Sequence, residues 1–177
     1  MKNRILSRLS IIGIAISALC LAAPAGAQTK SNSGANERME AKTGSLNEKD
    51  RTFMKKAAKG GEMEVTMGNM AAQNATNADV KSFGERMVTD HSKANEQLKS
   101  IAEKKGVKLP TKAPTEKWTS DKAYIDMMVK DHQKDLAEFQ KEASETNDAD
   151  LKQFADETAK VVQQHLDLAK ETQAKLR

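Results

Sequence analysis

The stretch Asn77–Gly106, NADVKSFGERMVTDHSKANEQLKSIAEKKG, decides the fold. Its larger apolar residues fall at Val80, Phe83, Met87, Leu98 and Ile101, with Ala94 between, which is the spacing of one helix face. His91 lies in that same stripe, near the middle of the stretch, and so belongs to the inner face rather than the wet one. Asn77 is a good N-cap and Gly106 a good residue just past a helix end. A helix of this length spans roughly 40 Å.

Working outward, three more helices appear. Asn47, with Asp50 three residues on, is a capping pair for a first helix running to about Asn74. Its inner stripe is Phe53, Ala57, Gly61, Glu64, Gly68 and Ala71. Glycine inside a helix costs roughly 1 kcal/mol relative to alanine. Gly60, Gly61 and Gly68 therefore imply a close approach, or space left for something. Thr76-Asn77 turns tightly into the second helix. After Gly106 the segment Val107–Thr119 holds Pro110, Pro114 and the only tryptophan, Trp118. Fully extended it reaches roughly 40 Å, enough to cross the length of a bundle. Thr119 or Ser120 caps a third helix to about Glu145, with Tyr124, Ile125, Met128, His132, Asp135 or Leu136, Phe139 and Ala143 inward. Asn147-Asp148 turns into a fourth helix that continues nearly to Arg177. Its stripe is Leu151, Phe154, Ala155, Thr158, Val162, His165, Ala169 and Thr172.

The chain repeats itself. ADVKSF at Ala78–Phe83 recurs as ADLKQF at Ala149–Phe154, and the same offset takes Phe53 to Tyr124, Glu64 to Asp135 and Asn77 to Asp148. Two helical hairpins, neither able to bury its own face alone, predict an all-α four-helix bundle joined by a long crossover loop. The bundle domain is expected over residues 47–177.

The N-terminus reads differently. Lys2, Arg4 and Arg8 precede an apolar run to Ala23, and Ala25-Gly26-Ala27 suits signal cleavage, so residues 1–27 are expected to be a secretory signal peptide. Cys20, the only cysteine, lies inside it. A mature chain without cysteine has no disulfide, thiolate metal site or cysteine nucleophile. Residues 28–46 are rich in Ser, Asn, Gly and charge, and read as a flexible tether. The whole chain of 177 residues carries 29 basic and 25 acidic side chains. Removing the three basic residues of the signal leaves a mature net charge of about +1, which takes away the main support for nucleic-acid binding. The expected location is periplasmic or secreted, with no stable membrane insertion after cleavage.

The runs DRTFMKKAAKGGEMEVTMGNMA (Asp50–Ala71), VKSFGERMVTDH (Val80–His91) and GVKLP (Gly106–Pro110), with a second helical pair carrying a late histidine, resemble a secreted bacterial family catalogued as domain of unknown function 4142. The resemblance covers about Asn47 to Leu176. It implies a ferritin-like four-helix fold in the periplasm and no established activity.

All three histidines, His91, His132 and His165, lie on inward stripes near the helix midpoints. Glu64 and Asp135 fall within one turn of the same depth. Imidazoles and carboxylates converging inside a bundle are how such folds hold metals, and these ligands suit Zn, Fe, Mn or Cu. The Glu-x-x-His motif of di-iron bundles is missing, because Val88 and Val162 stand three residues before His91 and His165. His132-x-x-Asp135 is a reversed echo of it. The alternative is a non-catalytic envelope interaction or stress-related module whose histidines are structural, bonded to buried acids. Met63, Met67 and Met70 form a second inward pattern, read as gap-filling core, with Cu(I) binding as the other reading. No nucleophile–base pair or phosphate loop stands out, so the sequence points away from an enzyme.

Overall fold

The computed structural model describes residues 46–112 and 117–176. The signal peptide, all of the tether except Leu46, and Pro114 lie outside the described residues. Four helices are present: α1 (Glu48–Asn74), α2 (Ala78–Lys105), α3 (Asp121–Glu145) and α4 (Ala149–Lys175). Each starts on the cap its sequence offers. The Asn47 side chain accepts from the Lys49 and Asp50 backbone N–H groups at 2.8 and 3.0 Å, and Asp50 Oδ2 accepts from Asn47 N at 3.0 Å. Asn77, Ser120 and Asp148 cap the other three. Gly106 closes α2 in the left-handed conformation at φ 65°, which a side chain would strain.

Contacts between the helix ends fix the topology. The Asp121 carboxylate, at the start of α3, accepts from Thr76 Oγ1 at 2.8 Å and Asn77 N at 2.7 Å, in the α1–α2 turn. At the other end Lys105 of α2 pairs with Asp148, the cap of α4, at 2.5 Å. Lys175, at the end of α4, pairs with Asp79, at the start of α2, at 3.1 Å. So α2 and α3 run in the same direction, and the connection between them travels the length of the bundle. Val107 is buried in the cluster at one end. Trp118 packs at the other, its ring 5.6 Å from that of Tyr124. The principal packing partners are α1 with α2 and α3 with α4, then α2 with α4 and α1 with α3. The bundle is thus two antiparallel hairpins joined by one long crossover.

The core has two apolar clusters. The lower one is built on Met54, Leu98, Leu151 and Phe154, and also takes in Leu46, the last residue of the expected tether. The upper one is built on Val80, Phe83, Met87, Tyr124, Ile125 and Met128. Each fully buried aliphatic or aromatic side chain contributes roughly 1.5–3 kcal/mol. Met67 is buried, and Met63 and Met70 pack against the upper cluster, as gap-filling residues do. In the upper half α1 and α2 touch backbone to backbone. A Cβ on Gly68 would lie 2.8 Å from the Gly84 carbonyl oxygen, so this crossing needs glycine on both helices. Among the described residues no helix is long and apolar enough to cross a membrane.

Candidate metal centre

Between the two apolar clusters lies a polar layer. His132 and His165 are fully buried, and His91 and Glu64 are 5% and 3% exposed. One histidine comes from each of α2, α3 and α4, and Glu64 from α1. The three rings form a near-equilateral triangle, with centroids 5.7, 5.1 and 5.5 Å apart. One nitrogen from each ring can be chosen so that all three lie within 4.8 Å of one another.

Carboxylates orient the rings. His91 Nδ1 lies 3.0 Å from Glu64 Oε2. His165 Nε2 lies 2.8 Å from Asp90 Oδ2. His132 Nδ1 lies 3.6 Å from Glu64 Oε1, and neither nitrogen of His132 nor Glu64 Oε1 has a well-formed hydrogen bond. A neutral imidazole carries a single N–H. If each oriented ring gives that proton to its carboxylate, His91 Nε2 and His165 Nδ1 are both left with lone pairs. Yet these two atoms face each other at 3.2 Å. Two acceptors do not hold that separation by themselves. A proton or a cation belongs between them.

The protonation pattern follows from burial and charge. Burial opposes ionisation of Glu64, but the charge and hydrogen bond of His91, helped by His132 and His165, hold its carboxyl below the usual range. Burial also opposes a charge on His91, and is outweighed by Glu64, with Asp135 and Asp90 assisting, so its pKa is raised. His132 is lowered, by burial first and then by His91, although Glu64 pulls the other way. His165 is lowered to about 4, because burial and the two neighbouring imidazoles prevail over Asp90. The shifts thus favour a charge on His91 beside Glu64, and favour the neutral form, in which imidazole binds metal, on His132 and His165.

Of the five residues singled out by sequence, the structure brings four together: His91, His132, His165 and Glu64. Asp135 stands beside the layer, and no hydrogen bond or ion pair joins it to a histidine among the described residues. Burial, then the charges of Glu64, Asp131 and Glu138, push its carboxyl up to about 7. Asp90 is the residue that the stripe analysis missed. It sits at the edge of the α2 stripe, half-buried, and also meets Arg86 Nε at 3.3 Å. The available signal was its place beside His91 in MVTDH. What hid it is that its histidine partner lies on another helix, 75 residues away.

The repeat explains why the site is one-sided. At the offset of 71, His132 corresponds to Gly61, His165 to Ala94, and His91 to Val162. Wherever one hairpin places an imidazole, the other places a smaller side chain or none. The Asn95 side chain occupies the space that a Cβ on Gly61 would need.

Fold and site define the class: an all-α bundle of two unequal hairpins around a buried cluster of three histidines. The chain belongs to the family described as a domain of unknown function, DUF4142, which matches residues 35–172. No curated protein matches the sequence. Among solved structures the chain is similar to a protein described as a candidate spore coat protein from Bacillus halodurans C-125. The identity is 12% and the TM-score 0.65, over 75% of this chain and 90% of that one. At that identity the likeness concerns the fold.

Proposed function

We propose that this protein is an exported helical bundle that holds one transition-metal ion between His91, His132 and His165. The observation that carries the proposal is the meeting of His91 Nε2 and His165 Nδ1 at 3.2 Å, each ring already oriented by a carboxylate through its other nitrogen. Two tetrahedral ligands each about 2.0–2.1 Å from one ion stand about 3.3 Å apart. The pair is thus spaced as metal ligands are. His132 supplies the third nitrogen, its Nε2, with Nδ1 turned to Glu64. In this arrangement Glu64 orients His91 and Asp90 orients His165, the carboxylate–histidine–metal pattern that fixes ring tautomer and raises ligand basicity, while Glu64 faces His132 at 3.6 Å. Three imidazoles suit Zn, Cu or Fe better than Mn, which prefers carboxylate and water oxygen.

Elemental analysis of protein purified from the periplasm tests this directly, with about one ion per chain expected. Added metal should raise the melting temperature by roughly 5–10 °C when it stands at a hundredfold excess over Kd. His91→Ala should abolish that rise. A second reading rests on the same hydrogen bonds: the Glu64–His91 and Asp90–His165 contacts also bind three helices together without an ion, as a structural network in an envelope interaction module would. Absence of metal, with His91→Ala equally destabilising whether or not metal is added, would replace the first reading by this one. Export rests on residues 1–27 and predicts cleavage between Ala27 and Gln28. N-terminal sequencing of exported protein reads it, and a retained Met1 in the membrane fraction would refute it.

A further inference from the structure

Beside the histidine layer, on the side of the lower apolar cluster, lies a narrow chamber of about 40 Å³. Glu64 and His91 are the members of the layer that line it. Phe53 and Phe139, whose rings meet edge to face at 5.2 Å, also line it, with Lys56 and Glu138 beside them. Gly61, Ala94 and Ala57 line its sides. Gly61 and Ala94 are the repeat counterparts of His132 and His165. Asn95 fills the space against Gly61, and the chamber lies beside it and reaches the histidine layer at His91.

The ligand count gives this space a use. Three histidines converge, Glu64 and Asp90 are engaged in orienting them, and no fourth side chain completes a tetrahedron around their inward nitrogens among the described residues. Three protein ligands and a vacant fourth position distinguish reactive metal sites from closed structural ones. A water needs about 10–15 Å³ of such space, so about 40 Å³ holds two or three waters or one molecule of two or three heavy atoms.

We infer that the ion held by the three histidines keeps a coordination position open to this chamber, and takes there a small oxygen- or nitrogen-donor ligand of two or three heavy atoms, such as azide or peroxide. This rests on the metal-site reading above, and the experiment separates the two. Protein loaded with Co(II) is titrated with azide while the visible d–d absorption is followed. One Co(II) per chain, with a saturable azide-dependent shift in the bands, is the expected result. Imidazole, too large for the chamber, should leave the bands unchanged. Ala57→Leu, which fills the chamber without touching a ligand, should keep its Co(II) and its spectrum but weaken azide binding by at least about tenfold. Failure to bind Co(II) at all overturns the metal site and this inference with it. Stoichiometric Co(II) with no azide response leaves the metal site standing and overturns the open position. An azide response with the same affinity in Ala57→Leu, or an equal response to imidazole, overturns the chamber as the ligand's place. If Ala57→Leu fails to fold, the azide-against-imidazole comparison on the parent protein decides alone.

Discussion

Glu64 and Asp135 occupy equivalent positions in the two hairpins, yet their carboxyls are shifted in opposite directions. Glu64 is the more deeply buried, and its carboxyl is held below the usual range. Asp135 is only partly buried, and its carboxyl is pushed up to about 7. The difference lies on the second helix of each hairpin. Opposite Glu64 stands His91, at 3.0 Å, while the counterpart of His91 in the other hairpin is Val162. At mid-bundle, against burial, the facing imidazole lowers the carboxyl of Glu64, while burial and the neighbouring charges of Glu64, Asp131 and Glu138, with no imidazole to answer them, raise that of Asp135. The fold places the acid, and the partner decides its charge. One ancestral-looking pattern thus yields a polar site on one side and an acid in search of a proton on the other.

Removing the imidazole is the most forceful way to break this contrast. His91→Ala leaves Glu64 buried without its partner and should cost about 4 kcal/mol in metal-free protein at pH 7, read by urea unfolding. A cost below about 1 kcal/mol would mean that water replaces the ring and that the layer is not a closed network. The matching change in the other hairpin, Val162→Ala, removes only apolar atoms. It should cost about 2 kcal/mol from lost burial and the cavity left behind, with no dependence on pH. Unlike His91→Ala, it should preserve the metal-dependent rise in melting temperature. Loss of that rise would show that Val162 shapes the site and is not merely its apolar counterpart.

Most of this architecture could be read from the sequence, for a physical reason. The helical stripes repeat every three to four residues over long spans, so inward positions such as Phe83, Met87, His91 and Leu98 were set by spacing alone, and all four are buried. The crossover was legible because Val107–Thr119 is long enough to travel the bundle. The coincidence of depth among His91, His132 and His165 needed only helix midpoints. What spacing does not encode is contact across helices. Asp90 lies at the stripe's edge, and its pairing with His165 depends on how α2 and α4 rotate against each other. Asp135 joins the candidate set through its depth and through the α3 stripe, where Asp135 or Leu136 can face inward. Depth places it beside the layer, but the rotation of α3 gives the inner position to His132.

The acid without an imidazole offers a subtler test. Asp135 has a folded-state pKa of about 7, above its ordinary 3.8, so the fold retains a proton that the unfolded chain gives up. The resulting penalty is small near pH 4, grows as the pH rises towards 7, and is complete above that. Asp135→Asn removes it. The variant should be more stable than the parent by about 2 kcal/mol at pH 8, and nearly equal to it near pH 4. The comparison belongs to metal-free protein. Equal stability at both pH values would place Asp135 in water and dissolve the contrast with Glu64.

The smallest expected effect comes from a third place where the hairpins diverge. Ala71, buried in the upper cluster, has Glu142 as its counterpart at the lower end of α3. Glu142 is 8% exposed, and its Oε1 is buried without a partner. Burial, then the charge and hydrogen bond of Asp50, raise its carboxyl to about 7, with Lys141 opposing. Asp50 is already committed to capping α1 through Asn47 N. Burial and this neighbouring acid both oppose a charge on Glu142. The sign is that of Asp135: the penalty is absent below the ordinary 4.5, increases through the interval up to about 7, and is complete above it. Solvent reaches this end of the bundle more easily than its middle, which screens the effect. Glu142→Gln keeps a donor for Asp50 without the charge. It should stabilise the protein by about 1 kcal/mol at pH 8 and leave it unchanged near pH 4. A gain as large as that of Asp135→Asn would mean that the end of the bundle is as dry as its centre. A loss at pH 8 would mean that Glu142 is ionised there, held by a cation.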